Sequence, residues 1–165
     1  MNDANAKSLI SQYRRKGVLA DTNILLLWFV GKFDPAWIEK FKRTQKFQRE
    51  DFRILDSLLQ QFDTIVTTPH ILTEVNNLSG GLPEPLFEKY RDTFASEVKV
   101  FDEKYISSRT LCLTPHFKKF GLADAAIVEA VKEKYLVLTD DFPLANYLQK
   151  MKVDVLNFNN IRLLA

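Results

Sequence analysis

The stretch 135 to 144, "YLVLTDDFPL", sets the interpretation of the whole chain. Its apolar run, 135–138, stops at Thr139 and is followed at once by Asp140 and Asp141. A short continuous apolar run is typical of a strand that is buried on both faces. Asp is also common where a chain reverses. The two carboxylates therefore either close the strand in a turn or are delivered by the strand to a functional site.

Short apolar runs alternate with helical patterns along the rest of the chain. The predicted strands are 18–20, 64–67, 135–138 and 153–156. The predicted helices are 23–30, one or two within 35–61 with a break near the polar stretch QKFQRED, 70–78, 83–98, 103–113, 121–134 and 143–151. The inward positions of 35–61 are predicted to be Trp37, Phe41, Phe52, Leu55, Leu58 and Leu59. This alternation predicts an α/β protein, a three-layer α/β/α sandwich around a mostly parallel sheet of four to five strands.

Length and composition are those of an ordinary globular protein. The 165 residues predict a single domain spanning 1–165, with 1–16 as an N-terminal helix or arm. Cys112 is the sole cysteine, so no internal disulfide can form, and no Cys/His cluster suggests a zinc site. The longest apolar run, 24–30, is too short to span a bilayer, and the first residues lack a signal-like apolar segment. We therefore expect a cytoplasmic protein without a membrane partner.

Acidic residues lie where the predicted strands end. Asp21 follows the first strand, and Asp140 and Asp141 follow a later one. Glu74 lies in the first turns of the helix after the second strand, and Asp124 opens the helix from Gly121. In an open parallel sheet, ligands bind beyond the carboxyl ends of the strands. The topology would therefore bring these acids to one edge of the sheet.

Each acid also has a local structural explanation. Asp21 could cap the following helix, Asp124 could be a first-turn acid that the helix dipole favours, and Asp140 could be a turn residue. Together they indicate more, because carboxylates gathered within a few ångströms repel one another unless a cation is present. Mg²⁺ and Mn²⁺ prefer such oxygen ligands, and a pair of these ions can activate water and stabilise the leaving oxygen of a phosphodiester. The acids thus predict metal-dependent hydrolysis.

Four segments of the chain resemble the motifs of PIN-domain nucleases, a family that includes the toxins of bacterial and archaeal toxin–antitoxin pairs. The matching segments are VLADTN at 18–23, TEV at 73–75, GLADAAIV at 121–128 and VLTDDF at 137–142. Any one of these would be a weak signal. Their common order and spacing, from Val18 to about Asn160, make the resemblance specific.

The resemblance implies a Mg²⁺- or Mn²⁺-dependent endoribonuclease with catalytic, metal-binding carboxylates at Asp21, Glu74, Asp124 and Asp141. Its Thr-x-Asp register favours Asp141 over Asp140, which stays a second candidate for the metal. The family's chemistry is hydrolysis by activated water, which leaves a 5′-phosphate and a 3′-hydroxyl. The toxin members imply an antitoxin protein as a further partner.

Polar neighbours of the acids are candidates for supporting roles. Asn23 could hydrogen-bond a carboxylate or simply cap a helix. Thr22 and Thr139 could orient a carboxylate, and Thr139 could equally just close its strand.

An RNA substrate calls for basic groups with aromatic residues among them. The candidates are Arg14, Arg15 and Lys16 beside Tyr13, the stretch 40–49, and Lys118 and Lys119 between two phenylalanines. Charge runs are also ordinary solvated surface, so these are the least specific of the candidate binding residues.

Two other classes of protein with acidic sites need acids that this chain lacks. An aspartyl-phosphate phosphatase needs an acid two residues after Asp21, where Asn23 stands, and a receiver domain needs an acid directly before Asp21. The main alternative is a catalytically weak PIN-like interaction or RNA-binding module. The apolar helix face from Leu25 to Phe29 is expected to be exposed, which favours a homodimer.

Overall fold

The computed structural model describes residues 3–163, which form a five-stranded parallel sheet surrounded by helices in an α/β/α arrangement. The strands are β1 (Val18–Ala20), β2 (Ile65–Thr67), β3 (Asp102–Glu103), β4 (Leu136–Thr139) and β5 (Val155–Asn157). The α-helices are α1 (Asp3–Tyr13), α2 (Thr22–Phe33), α3 (Arg49–Leu59), α4 (Pro69–Ser79), α5 (Leu86–Val98), α6 (Ser108–Cys112), α7 (Pro115–Phe120), α8 (Leu122–Ala130), α9 (Phe142–Lys150) and α10 (Phe158–Ile161). Two 3₁₀ turns, Pro35–Trp37 and Val131–Glu133, complete the order. The predicted fold class is confirmed.

The strand order is β3-β2-β1-β4-β5, with every neighbouring pair parallel. The chain builds outwards from β1 to β3 and then crosses back to place β4 on the other side of β1. Leu19 pairs with Val66 on one side and with Val137 on the other. This reversal puts a topological switch point between β1 and β4, and such a point is where open α/β sheets form a ligand crevice.

The two central strands are buried because helices cover both faces of the sheet. All residues of β1 and β4 are buried, which accounts for their uninterrupted apolar sequences. The predicted strands and the helices that follow them agree with the structure to within a few residues. The break at QKFQRED is also confirmed, since α3 begins only at Arg49.

The inward positions predicted within 35–61 are largely confirmed. The side chains of Phe41, Leu55, Leu58 and Leu59 are buried in the core. Trp37 and Phe52 are partly buried and pack against it.

The idea of an exposed apolar face at 25–29 is wrong. Leu25, Leu27 and Phe29 are fully buried, and Trp28 is almost so. Helix α2 packs against α3, α4 and α5 as well as the sheet, and a helix that is apolar on all sides belongs in a core. The face therefore offers no support for a homodimer.

The segment 103–113 is also not the predicted helix. Its first part contributes to β3, which pairs with Val66 and Thr67 of β2, and only Ser108–Cys112 is helical. The predicted helix 121–134 ends at Ala130 and continues as a 3₁₀ turn. None of the helices within 3–163 is both long and apolar enough to cross a membrane.

Candidate functional site

Asp21 connects the central strand to the central helix. Its backbone N–H extends the ladder by donating to the carbonyl of Leu138 at 3.0 Å. Its carboxylate caps α2 by accepting the N–H of Ile24 at 2.8 Å. The other carboxylate oxygen accepts the Thr139 hydroxyl and the N–H of Asp140 at 3.3 Å. Asp21 is therefore buried and fixed by both strands at the switch point.

The two acids after β4 have different surroundings. Asp140 is buried, and its carboxylate pairs with the Lys46 ammonium and accepts the Asn23 side-chain amide at 3.2 Å. Asp141 is partly buried and caps α9 by accepting the N–H of Leu144 at 2.7 Å. The Asp140 charge is thus balanced by a cation, while Asp141 uses one oxygen on a helix terminus.

Glu74 and Asp124 come from helices whose amino-terminal turns face the same edge of the sheet. Glu74 is exposed on α4, and its carboxylate accepts the Thr22 hydroxyl at 3.0 Å. Asp124 is partly buried in the first turn of α8, and α4 packs against α8. Gly121 directly precedes α8, and glycine adopts its positive φ of 85° at little cost.

Electrostatic effects show that the acids form one group. Burial and the neighbouring charge of Asp140 raise the pKa of Asp21 to about 7, against hydrogen bonds from Thr139 and Ile24 that favour its ionised form. Asp124 also contributes to this rise. Burial, together with the charges of Asp141 and Glu74, raises the pKa of Asp124 to about 7. Pairwise charge effects therefore connect Asp21 with Asp140 and Asp124, and Asp124 with Asp141 and Glu74.

Each predicted supporting residue donates a hydrogen bond to one of these acids. Thr139 donates to Asp21, Thr22 to Glu74 and Asn23 to Asp140. Thr139 also accepts the backbone N–H of Asp141 at 2.9 Å, so its hydroxyl links the two aspartates. These contacts fix where the carboxylate oxygens can point.

The donor set fits a hard divalent cation better than a soft one. The five acids supply carboxylate oxygens, which Mg²⁺ and Mn²⁺ prefer. No three acidic, histidine or cysteine side chains of residues 3–163 converge closely enough to enclose an ion. Mg²⁺ commonly uses only one or two carboxylates and keeps several waters. A Mg²⁺ or Mn²⁺ ion here would therefore use at most two of the carboxylates, with water as its other ligands. Asp124, Glu74 and Asp141 have the fewest hydrogen bonds to the protein.

Two features of the site had no signal in the sequence. Lys46 lies 94 residues from Asp140, and nothing in its local pattern indicates the pairing. Asn159 of α10 donates its side-chain amide to the Asp140 carbonyl at 2.9 Å. Thr67 and Asn157, at the ends of β2 and β5, each bury a polar side-chain atom that lacks a protein partner.

A cleft of about 580 Å³ opens beside Glu74, between α4, the segment before α6 and the start of α8. Its lining includes His70, Ser108, Asn77 and the exposed ring of Tyr105. The His70 Nε2 lies 3.0 Å from the Ser108 hydroxyl, while its buried Nδ1 has no partner in the described chain. The acids thus adjoin a space that can receive part of a larger ligand.

The predicted RNA-binding residues fall into three groups. Arg14, Arg15 and Lys16 precede β1 and so lie at the opposite edge of the sheet from the acids, about 10 Å away along three strand residues. The stretch 40–49 includes Lys46, whose ammonium pairs with the Asp140 carboxylate. Lys118 and Lys119 are exposed in the last turn of α7, directly before α8 and Asp124. The stretch 40–49 is therefore the group that contacts an acid of the site.

Comparison with protein-family models, with curated proteins and with solved structures gives no match. The resemblance to PIN-domain nucleases therefore depends on the four sequence motifs alone.

Proposed function

We propose that this protein is a Mg²⁺- or Mn²⁺-dependent endoribonuclease of the PIN-domain type, acting in the cytoplasm. One observation carries the proposal. Acids from the β1–α2 connection, α4, α8 and the β4–α9 connection influence one another's charge at the switch point of the sheet, and burial together with these neighbouring charges raises the pKa of both Asp21 and Asp124. Charge concentrated at a ligand crevice is destabilising unless a cation or a reaction uses it.

A bound Mg²⁺ or Mn²⁺ would polarise the phosphoryl group and lower the pKa of a coordinated water. Asp124, with either Glu74 or Asp141, would hold the ion together with water, because their oxygens carry the fewest competing protein contacts. Asp21 is held by three donors and would mainly set the negative potential and accept a proton near neutral pH.

The chain's own residues supply positioning. Thr22 fixes the Glu74 carboxylate, and Thr139 ties Asp21 to the backbone of Asp141. Lys118 and Lys119 offer cations next to the site for the phosphates of a polyanion. The cleft beside Glu74 offers room for a nucleotide that flanks the bond to be cleaved.

A catalytically weak interaction or RNA-binding module is the competing proposal. The pairing of Asp140 with Lys46 and the absence of three converging ligands within residues 3–163 favour it. The presence of Asp21 and Asp124 favours the enzyme, because two carboxyls with raised pKa values destabilise the fold when ionised. A binding module gains nothing from that loss of stability.

The deciding experiment is cleavage of single-stranded and structured RNA with Mg²⁺ or Mn²⁺ against a chelator control. We expect Asp124→Asn to lower the cleavage rate by at least about 100-fold. Asp92→Asn, which alters an exposed acid on α5, should leave the rate unchanged. An Asp124→Asn variant that folds normally and cleaves RNA at the wild-type rate would reject the proposed site. A wild type that binds RNA without cleaving it would favour the interaction module.

We further propose that the enzyme is the toxin of a toxin–antitoxin pair. Expression of the wild type without a partner should then arrest growth, and expression of Asp124→Asn should not. Equal growth of both strains would indicate a housekeeping nuclease instead. Co-purification of a small protein that suppresses cleavage would identify the antitoxin.

A further inference from the structure

Lys46 is the cation that contacts the acidic site from within the chain. It lies in the turn segment between the 3₁₀ turn Pro35–Trp37 and α3. Its ammonium pairs with Oδ2 of Asp140. The Asp140 side chain is 4% exposed and that of Lys46 is 51% exposed, so a surface residue reaches inwards to a buried carboxylate.

The segment that carries Lys46 is anchored on both sides. Thr44 is fully buried, and its hydroxyl donates to the Ile38 carbonyl at 2.7 Å. The Phe47 ring is buried and lies 6.2 Å from the Phe158 ring between centroids. The Lys46 ammonium also lies 5.0 Å from the Phe47 ring centroid. The lysine is thus directed to Asp140 by its neighbours in the sequence.

Both carboxylate oxygens of Asp140 are occupied. Oδ1 accepts the Asn23 amide at 3.2 Å and Oδ2 accepts Lys46. In the described part of the chain, Asp21, Glu74, Asp124 and Asp141 have no comparable ion pair with Lys, Arg or His. The acidic site is therefore divided into a half that the protein neutralises itself and a half that it leaves charged.

We propose that Lys46 acts as a built-in cation at Asp140, so that the site binds a single divalent ion on the Asp124 side. This inference rests on the proposed function, because it assumes that the acids bind Mg²⁺ or Mn²⁺. A second ion at Asp140 would need the carboxylate oxygen that Lys46 occupies and would be repelled by the ammonium. Because its side chain is half-exposed, Lys46 can also contact a phosphate oxygen of a bound substrate.

The test is a Mn²⁺ titration that counts bound ions by the loss of the free-Mn²⁺ electron paramagnetic resonance signal and by calorimetry. The proteins are the wild type, the uncharged variants Lys46→Met and Lys46→Gln, and the charge-preserving variant Lys46→Arg. Lys42→Met, which removes an exposed lysine of the same segment, is the matched control. Thermal unfolding of each variant identifies any that fails to fold.

We expect one Mn²⁺ in the wild type, Lys46→Arg and Lys42→Met, and two in the uncharged Lys46 variants. Two ions in the wild type, or one ion in a folded uncharged variant, would overturn the role of Lys46 while leaving the nuclease proposal intact. A wild type that binds no Mn²⁺ would overturn both, and this outcome is recognised before any variant is compared.

Discussion

Replacing Asp21 by Asn should stabilise the metal-free protein at pH 8, although the residue is buried and fully hydrogen-bonded. The wild-type carboxylate is 4% exposed, and burial and the neighbouring Asp140 raise its pKa to about 7 from 3.8. Asparagine has nearly the same shape and is neutral at every pH. The substitution therefore removes a charge that the fold disfavours and keeps an oxygen for the N–H of Ile24.

Two opposing free energies set the size of the effect. Ionising a carboxyl whose pKa is raised by about 3 units costs about 4 kcal/mol at pH 8. The asparagine amide nitrogen replaces the oxygen that accepts the Thr139 hydroxyl and the N–H of Asp140. The Thr139 oxygen can accept from the amide instead, whereas the bond from the Asp140 N–H is lost at a cost of about 1–3 kcal/mol. The net expectation is a gain of about 1–3 kcal/mol. Each kcal/mol raises the Tm of a chain of this length by about 2–4 °C.

The pH dependence identifies the cause. Between about pH 4 and pH 7 the native Asp21 keeps its proton and the unfolded one loses it, so wild-type stability falls as pH rises through this window. Below the unfolded pKa both states are protonated, and the charge penalty vanishes. At pH 4 only the lost hydrogen bond remains, so Asp21→Asn should there be the less stable protein.

The assay is urea or thermal unfolding of both proteins from pH 4 to pH 8 with chelator, repeated with Mg²⁺ or Mn²⁺. An ion that binds only the native state at 100 times its Kd adds about 2.7 kcal/mol. The ion should stabilise the wild type more than Asp21→Asn. At pH 8 it should therefore reduce the difference in free energy of unfolding between the two proteins, or reverse its sign. A variant that is less stable at pH 8, or a stability difference that does not change with pH, would refute the idea that this carboxylate is electrostatically disfavoured.

Two further predictions concern the elements that carry the site. Gly31→Ala should lower the free energy of unfolding by about 1–2 kcal/mol, because an added Cβ would overlap the Phe52 ring and this overpacking exceeds the gain in helix propensity. In a Phe52→Ala background the same change should stabilise the protein, and urea unfolding of the double-mutant cycle measures the coupling. Thr68→Ala should lower the free energy of unfolding by about 1 kcal/mol, because the Thr68 hydroxyl caps α4 by accepting the N–H of Ile71 at 3.3 Å. In calorimetry, Thr68→Ser should retain most of that stability. Equal losses in both variants would show that the methyl group matters instead of the cap.

The parts of the fold that were predictable are those with a continuous apolar signal. The runs that form β1, β2, β4 and β5 contain few polar residues because both faces of these strands are covered. Strand β3 has the sequence Asp102–Glu103 and forms only because its backbone pairs with Val66 and Thr67 at the sheet edge. A pair of acids carries no strand pattern, so this element was not predictable.

Helix α7 was missed for a different reason. Thr114 caps it and Pro115 opens it, which is a recognisable helix start. Gly121, with a positive φ, then ends α7 and begins α8. The Thr114–Pro115 start and the Gly121 stop together indicate a helix over 115–120, a segment for which no helix was predicted.

Topology predicts part of the candidate site. The rule that strand ends share one edge was enough to gather Asp21, Asp140 and Asp141. It could not reveal Lys46, because a long-range ion pair leaves no local pattern. The same rule places Arg14 and its neighbours beyond the other end of β1, because they precede the predicted strand 18–20.

The backbone ladder between β1 and β4 has an evolutionary consequence. It positions the chain at Asp21 through Leu138, so the location of the carboxylate does not depend on the carboxylate itself. A descendant freed from selection on its acids could exchange them for amides, keep its architecture and become harder to unfold. Good folding and high yield would then be poor guides to which members of such a lineage still perform chemistry.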